Sequence, residues 1–315
     1  MTRAFVFPGQ GSQFIGMGKD LAESFEEARD VFQEIDDALS QNLSALMFNG
    51  DESDLNLTEN TQPALMAVSM AVVNILKKQG GITPQEHCSF VAGHSLGEYA
   101  ALTSTGTIAL ADTARLLKLR GTSMQKAVPV GVGSMAAILG LDFDVVAQIA
   151  KDAAENQTCT AANDNSDGQV VVSGHKEAVE RAVSLATERG ARKAIILAVS
   201  APFHCDLMAP AAEIMAPALA EVTFNTPIVP VIANITATAE SSPNILKELL
   251  IKQITGTVRW RESVLYMRDQ EVTEMVELGA GKVLSGLARR IDRSIACESV
   301  GSPEQIEKLI ERLKK

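Results

Sequence analysis

Ser95 stands between two glycines, in Gly93-His94-Ser95-Leu96-Gly97. Here the apolar run Cys88 to Ala92 gives way to an Ala/Leu-rich segment. A serine at a sharp strand-to-helix corner is held clear of the sheet. The strained backbone there requires very small residues two before and two after it, and Gly93 and Gly97 meet that requirement. The helix start beneath such a corner offers free N–H groups and the positive end of the helix dipole to a developing oxyanion. The N–H of Leu96 is the expected donor. A serine so placed can carry out acyl transfer if a base takes its proton. A tight Gly-Ser turn without chemistry is the competing reading.

The chain has four histidines. His94 neighbours Ser95, and successive residues of an extended segment point to opposite faces, so it reads as a buried structural histidine. His87 precedes the strand, at the edge away from the corner. His175 follows Ser173-Gly174 and reads as a helix-start residue. His204, in Ser200-Ala201-Pro202-Phe203-His204, follows a strand and a proline-containing turn, so it can reach a site above strand ends. It also preserves the serine-then-histidine order of hydrolase folds. Against this stands a satisfied core histidine. General-base assistance contributes about 10²–10⁴-fold in rate. No carboxylate declares itself as a third member: Asp206 and Glu98 lie close in sequence, but neither spacing is diagnostic. A Ser–His dyad oriented by a neutral group stays open.

Three further positions invite chemistry. Phe7-Pro8-Gly9-Gln10-Gly11-Ser12-Gln13 is a strand followed by a glycine turn without the GxxxxGK[ST] pattern of a phosphate loop. The turn can instead present backbone N–H groups, such as that of Gln10, beside the nucleophile as a second oxyanion donor. Arg120, in LADTARLLKLR, either compensates a helix dipole on a solvated face or clamps a substrate carboxylate. Asn163 and Asn165 either line a cleft or belong to an ordinary Asn/Asp-rich turn.

Periodicity supplies the elements that must position these residues. Strands are predicted at Arg3 to Phe7, Cys88 to Ala92, Gly131 to Gly140, Thr158 to Ala162, Gln169 to Ser173, Arg192 to Leu197, Val229 to Ala233 and Glu274 to Leu278. Helices are predicted at Asp20 to Leu39, Gln62 to Lys78, Leu96 to Thr105, Leu110 to Lys126, Asp142 to Glu155 and Lys176 to Arg189. Further helices follow near Leu207 to Ala220, Asn244 to Ile254, Ser263 to Gln270, Val283 to Arg290 and Pro303 to Lys314. Asn163 to Gly168 is expected to be a turn. Strands alternating with helices in the first and last thirds argue for a parallel sheet covered on both faces. The middle third reads βαββαβ, a ferredoxin-like signature. The expected fold is therefore α/β. A large domain spans 1–127 and 199–315, and a small ferredoxin-like subdomain spans 128–198.

Composition narrows the function classes. The 315 residues are 46% hydrophobic and only 4% aromatic, with a formal net charge of −11. Such a body is a poor partner for nucleic acid or anionic membrane, and binding built on aromatic stacking is a poor fit. No window approaches the ~20 apolar residues of a membrane helix, and the N-terminus has no long apolar stretch before a cleavage site. Cys88, Cys159, Cys205 and Cys297 are scattered, which fits free thiols in a reducing compartment. The expectation is a cytoplasmic protein that acts as a monomer.

Seven segments then stand in a recognisable order: FPGQGSQ, GHSLGEY, LLKLRG with Arg120, NDNSDGQVVVSG, SAPFHCDLM, VRW and ELGAGKVLSGL. From about Phe5 to Leu287 the chain resembles the malonyl-CoA:acyl-carrier-protein transacylase family of type II fatty acid synthesis. The resemblance implies a hydrolase-like α/β domain carrying the inserted subdomain. It implies ping-pong transfer of malonyl from malonyl-CoA to holo acyl carrier protein, with no metal or other cofactor. Ser95 would carry the acyl group and His204 would serve as base, then acid. The N–H groups of Gln10 and Leu96 would form the oxyanion hole. Arg120 would bind the malonyl carboxylate, and the main-chain carbonyl of Gln253 would orient His204. In related acyltransferase domains a Phe before the histidine and a Leu after the serine accompany malonyl. Phe203 and Leu96 occupy those places, and Phe203 would crowd an α-methyl branch. The carrier is expected to be acidic, so docking would use local basic clusters such as Arg189, Arg192 and Lys193, or Arg289, Arg290 and Arg293. Two departures are visible: Thr257 stands where a proline is common before VRW, and Ala280 stands where ELGPGK is common. Both put loop rigidity in doubt more than activity.

Overall fold

The computed structural model describes residues 2–199 and 201–314. Met1, Ser200 and Lys315, which fall in the expected large part, lie outside the described residues. In chain order the strands are β1 (Thr2–Phe7), β2 (Phe90–Gly93), β3 (Gly133–Leu139), β4 (Cys159–Ser166), β5 (Gln169–His175), β6 (Lys193–Ile196), β7 (Val231–Ile232), β8 (Ala239–Glu240), β9 (Val272–Leu278) and β10 (Ala296–Val300).

They form two sheets. The larger has the order β10-β9-β1-β2-β7-β8. Its first five strands are parallel and β8 closes the edge antiparallel. Alternation along β1 explains why both faces are covered. Phe5 and Phe7 join one apolar cluster, with Val91, Val276 and Leu278. Ala4 and Val6 join the cluster on the other face, with Ala92, Met275 and Trp260. The smaller sheet is antiparallel, in the order β4-β5-β3-β6. The helices Phe143–Ala154 and Lys176–Glu188 pack on it through their own apolar cluster.

Most predicted elements are present, and Leu110–Lys126 has the predicted bounds. Three expectations are corrected. Asp20 to Leu39 is two helices, Lys19–Ser24 and Glu26–Leu39, because Phe25 adopts an extended backbone with its ring packed against the core. The helix expected from Gln62 begins earlier, as Thr58–Ile75, and its predicted last residues form a wider turn, Leu76–Gly80, that ends at Gly81 with φ +69°. Asn163 to Gly168 is not one turn. β4 runs through Ser166, and only Asp167-Gly168 turn the chain, with Gly168 at φ +66°.

Tertiary partners overrule local turn preference in β4. Its register shifts twice, between Ala161 and Asn163 and between Asp164 and Ser166. Such irregularities let neighbouring residues face away from the usual alternation. The same stretch is tied to the large sheet's loops. Asp164 N–H donates to Val258 O at 2.9 Å, and Val258 N–H donates to Ala162 O at 2.9 Å. The buried Asp164 carboxylate takes Arg261 at 2.9 Å. Thr257, at a position where a proline is common, donates its hydroxyl to Ala161 O at 2.8 Å. The threonine hydroxyl thus bonds the two parts of the molecule together.

The helices Leu43–Asn49, Glu52–Leu55 and Pro84–His87 and the strands β8 and β10 were not predicted. Among the described residues, no helix is long and apolar enough to cross a membrane. All four cysteines are free.

Candidate active site

The carboxyl ends of β1 and β2 lie side by side, with Phe7 paired to Gly93 in register. Two loops leave the sheet there. In open α/β sheets this is where ligands bind. The loop after β2 bends straight into the helix Gly97–Ser104, with Ser95 at φ +53°. A Cβ on Gly93 would lie 2.0 Å from the Gly97 backbone, and one on Gly97 would lie 2.3 Å from Phe7 O. Only glycine fits at either place, as the corner requires. Asn234, just after β7, holds the strained turn. Its Oδ1 accepts from Ser95 N–H at 2.7 Å, and its Nδ2 donates to Gly93 O at 2.7 Å.

Ser95 Oγ lies 2.8 Å from His204 Nε2. His204 is buried, at φ +59°. Its Nδ1–H donates to the main-chain oxygen of Gln253 at 2.8 Å, which leaves Nε2 free to accept the serine proton. Burial, assisted by the nearby charge of Arg120, pushes the imidazole down to about 3, so it is neutral at physiological pH. The third member of the constellation is thus a carbonyl of the helix Pro243–Gln253, not a carboxylate.

Arg120 is 1% exposed, so the solvated-face reading fails. Gly121 lets its helix press against Thr58–Ile75, since a Cβ there would lie 2.6 Å from the Glu59 backbone. One guanidinium nitrogen donates to Gln62 Oε1 at 2.7 Å. The other donates to Gln253 Oε1 at 2.8 Å and to Ser95 Oγ at 3.1 Å. Its Cζ sits 5.7 Å from the Tyr99 ring centroid. No carboxylate is within ion-pair distance of it among the described residues, and its Nε has no hydrogen-bond partner there.

These groups face one cleft of about 170 Å³ between the two sheets. Gln10, Leu96, Asn163, Asn165 and Phe203 line it together with Ser95, Arg120 and His204. All the predicted side-chain positions therefore converge, except that Gln253 lies behind Arg120 and His204. Asn165 reaches into the site from β4 and meets His94 Nε2 at 2.8 Å, while the His94 ring packs near Trp260. His94 is only half-buried and lines the same cleft, where the sequence predicts a buried structural histidine. Met124, Met135, Val171, Leu197 and Val199 supply the apolar part of the wall, and Gln62 also faces the cleft. His175 ends β5 at the start of the helix Lys176–Glu188. Arg289 and Arg290 line a separate groove beside the helix Val283–Ile291, and Arg189 pairs with Asp152.

Two contributors were missed: Asn234, which holds the corner, and Gln62, which seats Arg120. Neither had a local signal: Gln62 is one of several polar residues in the first turns of Thr58–Ile75, and Asn234 lies in a loop after β7.

A family model described as acyl transferase domain matches residues 4–302. The chain is 45% identical over 308 residues to the malonyl CoA-acyl carrier protein transacylase of Escherichia coli (strain K12), covering 98% of each chain. It is 45% identical over 312 residues to that of Bacillus subtilis (strain 168), covering 99% of this chain and 97% of the relative. The crystal structure of acyl-carrier-protein-S-malonyltransferase from Bartonella henselae matches with a TM-score of 0.97 at 52% identity, covering 100% of both chains. A malonyl-transacylase solved in complex with a type II PKS acyl-carrier protein matches with a TM-score of 0.95 at 41% identity, covering 99% of this chain and 100% of that one. With the site geometry, these similarities identify an acyltransferase: the chain belongs to the malonyl CoA-acyl carrier protein transacylase family.

Proposed function

We propose that the protein moves a malonyl group from malonyl-CoA to the phosphopantetheine thiol of acyl carrier protein, by way of a malonyl ester on Ser95. The observation that carries this reading is the buried Arg120 guanidinium. It has no carboxylate partner among the described residues and lies 3.1 Å from the nucleophile oxygen. A buried cation with no carboxylate in direct contact is costly, and the carboxylate at the far end of malonyl relieves it. An acetyl group does not.

The reaction is ping-pong. Ser95 Oγ attacks the thioester carbonyl carbon while His204 Nε2 takes the hydroxyl proton. The negative oxygen of the tetrahedral intermediate is met by the N–H groups of Gln10 and Leu96. The C–S bond breaks, and His204 returns the proton to the departing CoA sulfur. The carrier thiol then attacks the ester carbon, His204 takes the thiol proton, and the proton passes to Ser95 as the C–O bond breaks. The Gln253 carbonyl keeps the imidazole in the right tautomer throughout. Phe203 and the apolar wall disfavour an α-branched acyl group, a preference worth roughly 1–3 kcal/mol per methylene-sized misfit. Asn163 and Asn165 flank the acyl group.

In this reading the chain divides into a hydrolase-like catalytic part (1–127 and 199–315) and a ferredoxin-like part (128–198). The parallel sheet of the first and the β4-β5-β3-β6 order of the second support that division. The protein works as a cytoplasmic monomer and needs no cofactor. The acidic carrier docks on a basic cluster, Arg189, Arg192 and Lys193 or Arg289, Arg290 and Arg293.

The test is the intact mass after mixing with malonyl-CoA alone, followed by peptide mapping. The expected result is a lasting malonyl adduct on Ser95 that disappears when holo carrier protein is added. Free malonate without an adduct would make the protein a hydrolase. No adduct and no CoA release would overturn malonyl-CoA as donor.

A further inference from the structure

Glu98 has no part in the reaction as written above, yet its position is unusual. It is a carboxylate with no exposed surface, three residues beyond the nucleophile in the helix Gly97–Ser104. One oxygen, Oε2, accepts from Asn234 N–H at 2.9 Å and from Gln253 Nε2 at 2.9 Å. The other has no hydrogen-bond partner among the described residues. A buried polar group of this kind is costly to keep.

Its two donors control the two halves of the site. Asn234 holds the backbone at Ser95 and Gly93. Gln253 holds His204 through its main-chain oxygen and Arg120 through its side-chain oxygen. The Gln253 amide is nearly symmetric in shape, so packing alone does not choose which way it faces. Charge and hydrogen bonding do. Its NH₂ group gives one hydrogen to Ser95 O at 3.0 Å and the other to Glu98. Its oxygen is thereby left facing the guanidinium. With the Glu98 acceptor gone, one amide hydrogen and the Asn234 N–H are buried without a partner. The amide is then held by Ser95 O and Arg120 alone, and the seat it gives the guanidinium is loosened.

We propose that Glu98 is a positioning residue that fixes the Gln253 amide, and through it the Arg120 guanidinium, in the place where an acyl carboxylate meets it. Burial holds its carboxyl up at about 7, against the pull of Asn234, Gln253 and Arg120. Protonated or not, its oxygen accepts. The role rests on the malonyl-transfer reading.

The experiment measures initial rates of Ser95 acylation from malonyl-CoA and acetyl-CoA by intact mass, with melting temperatures alongside. It compares the full chain with Glu98→Met, Glu98→Asp and Glu98→Gln. Glu98→Met removes the acceptor at similar volume, and its malonyl-to-acetyl rate ratio is expected to fall at least tenfold. Glu98→Gln keeps an accepting oxygen and is expected to hold the ratio within threefold. If Glu98→Met does not fold, Glu98→Asp decides, because it withdraws the oxygen by one methylene and should also lose the ratio. Equal loss of both rates, or an unchanged ratio in both Met and Asp variants, would reduce Glu98 to a structural residue and overturn the proposal. Loss of the ratio in Glu98→Gln to the same extent would also overturn it. If the unmodified chain takes no malonyl at Ser95, the function reading falls and this one with it. If that chain is malonylated normally and only the ratios fail to move, the Glu98 assignment alone falls.

Discussion

The Arg120 guanidinium touches the Ser95 hydroxyl, at 3.1 Å from Nη2 to Oγ. A cation that donates to the nucleophile in the open site is positioned to take the carboxylate of an acyl group once that group is attached there. On the malonyl-transfer reading, substrate selection and chemistry share one hydrogen-bond network. Replacing Arg120 by Leu should reduce acylation by malonyl-CoA about 100-fold or more, the cost of a buried charge left without its partner. Acylation by acetyl-CoA should fall far less. Competing the two thioesters and weighing the products on Ser95 checks both halves of the expectation.

The state of His204 sets the acid side of the rate profile. A protonated imidazole cannot accept from Ser95. An ordinary histidine, with its value near 6.5, would be roughly nine-tenths protonated one pH unit lower. Burial and Arg120 hold His204 at about 3. Acylation measured between pH 7.5 and 5.5 should thus change less than about twofold, where an unshifted base would lose about tenfold. A midpoint near 6.5 would contradict the environment described for the ring.

Gly93 has no room for a methyl group, because its Cβ would sit 2.0 Å from the Gly97 backbone. The blocking atoms belong to the main chain and cannot swing aside. Gly93→Ala should destabilise the fold by about 3 kcal/mol or more, at the upper end of overpacking costs. Denaturant unfolding gives the number, and the surviving folded fraction should acylate slowly because the corner has moved.

Asn234 satisfies two main-chain groups of the strained turn. Asn234→Ala leaves the Ser95 N–H and the Gly93 carbonyl without those partners. About 1–3 kcal/mol of stability should be lost for each buried group so stranded. Chemical denaturation would register the loss as a lower midpoint at constant slope. Asn234→Ser, which restores one contact at most, should fall between the two.

Much of this site is legible in the chain because it is local. The corner at Gly93 to Gly97 declares itself through small residues at fixed offsets. The helix Leu110–Lys126 declares itself through periodicity, which also carries Arg120. The misses have a common physical origin. Asn234 reaches Ser95 across 139 residues of sequence, and Gln62 reaches Arg120 across 58. Nothing near either residue announces the contact. The group that orients His204 is a backbone oxygen, which every residue possesses, so only the resemblance pointed to Gln253. Phe25 breaks a helix that spacing would continue, since its ring is drawn into the core. Asn163 to Ser166 carry turn-favouring side chains, yet Val258 and Arg261 hold them extended.

That last fastening reaches beyond secondary structure. Two main-chain bonds, the Thr257 hydroxyl and the Asp164–Arg261 pair join the small sheet to the large one beside the cleft. Prying the jaws apart would sacrifice all of them together, at about 0.5–1.5 kcal/mol for each hydrogen bond. The cleft is therefore braced along that edge, and widening it there breaks these bonds as a set.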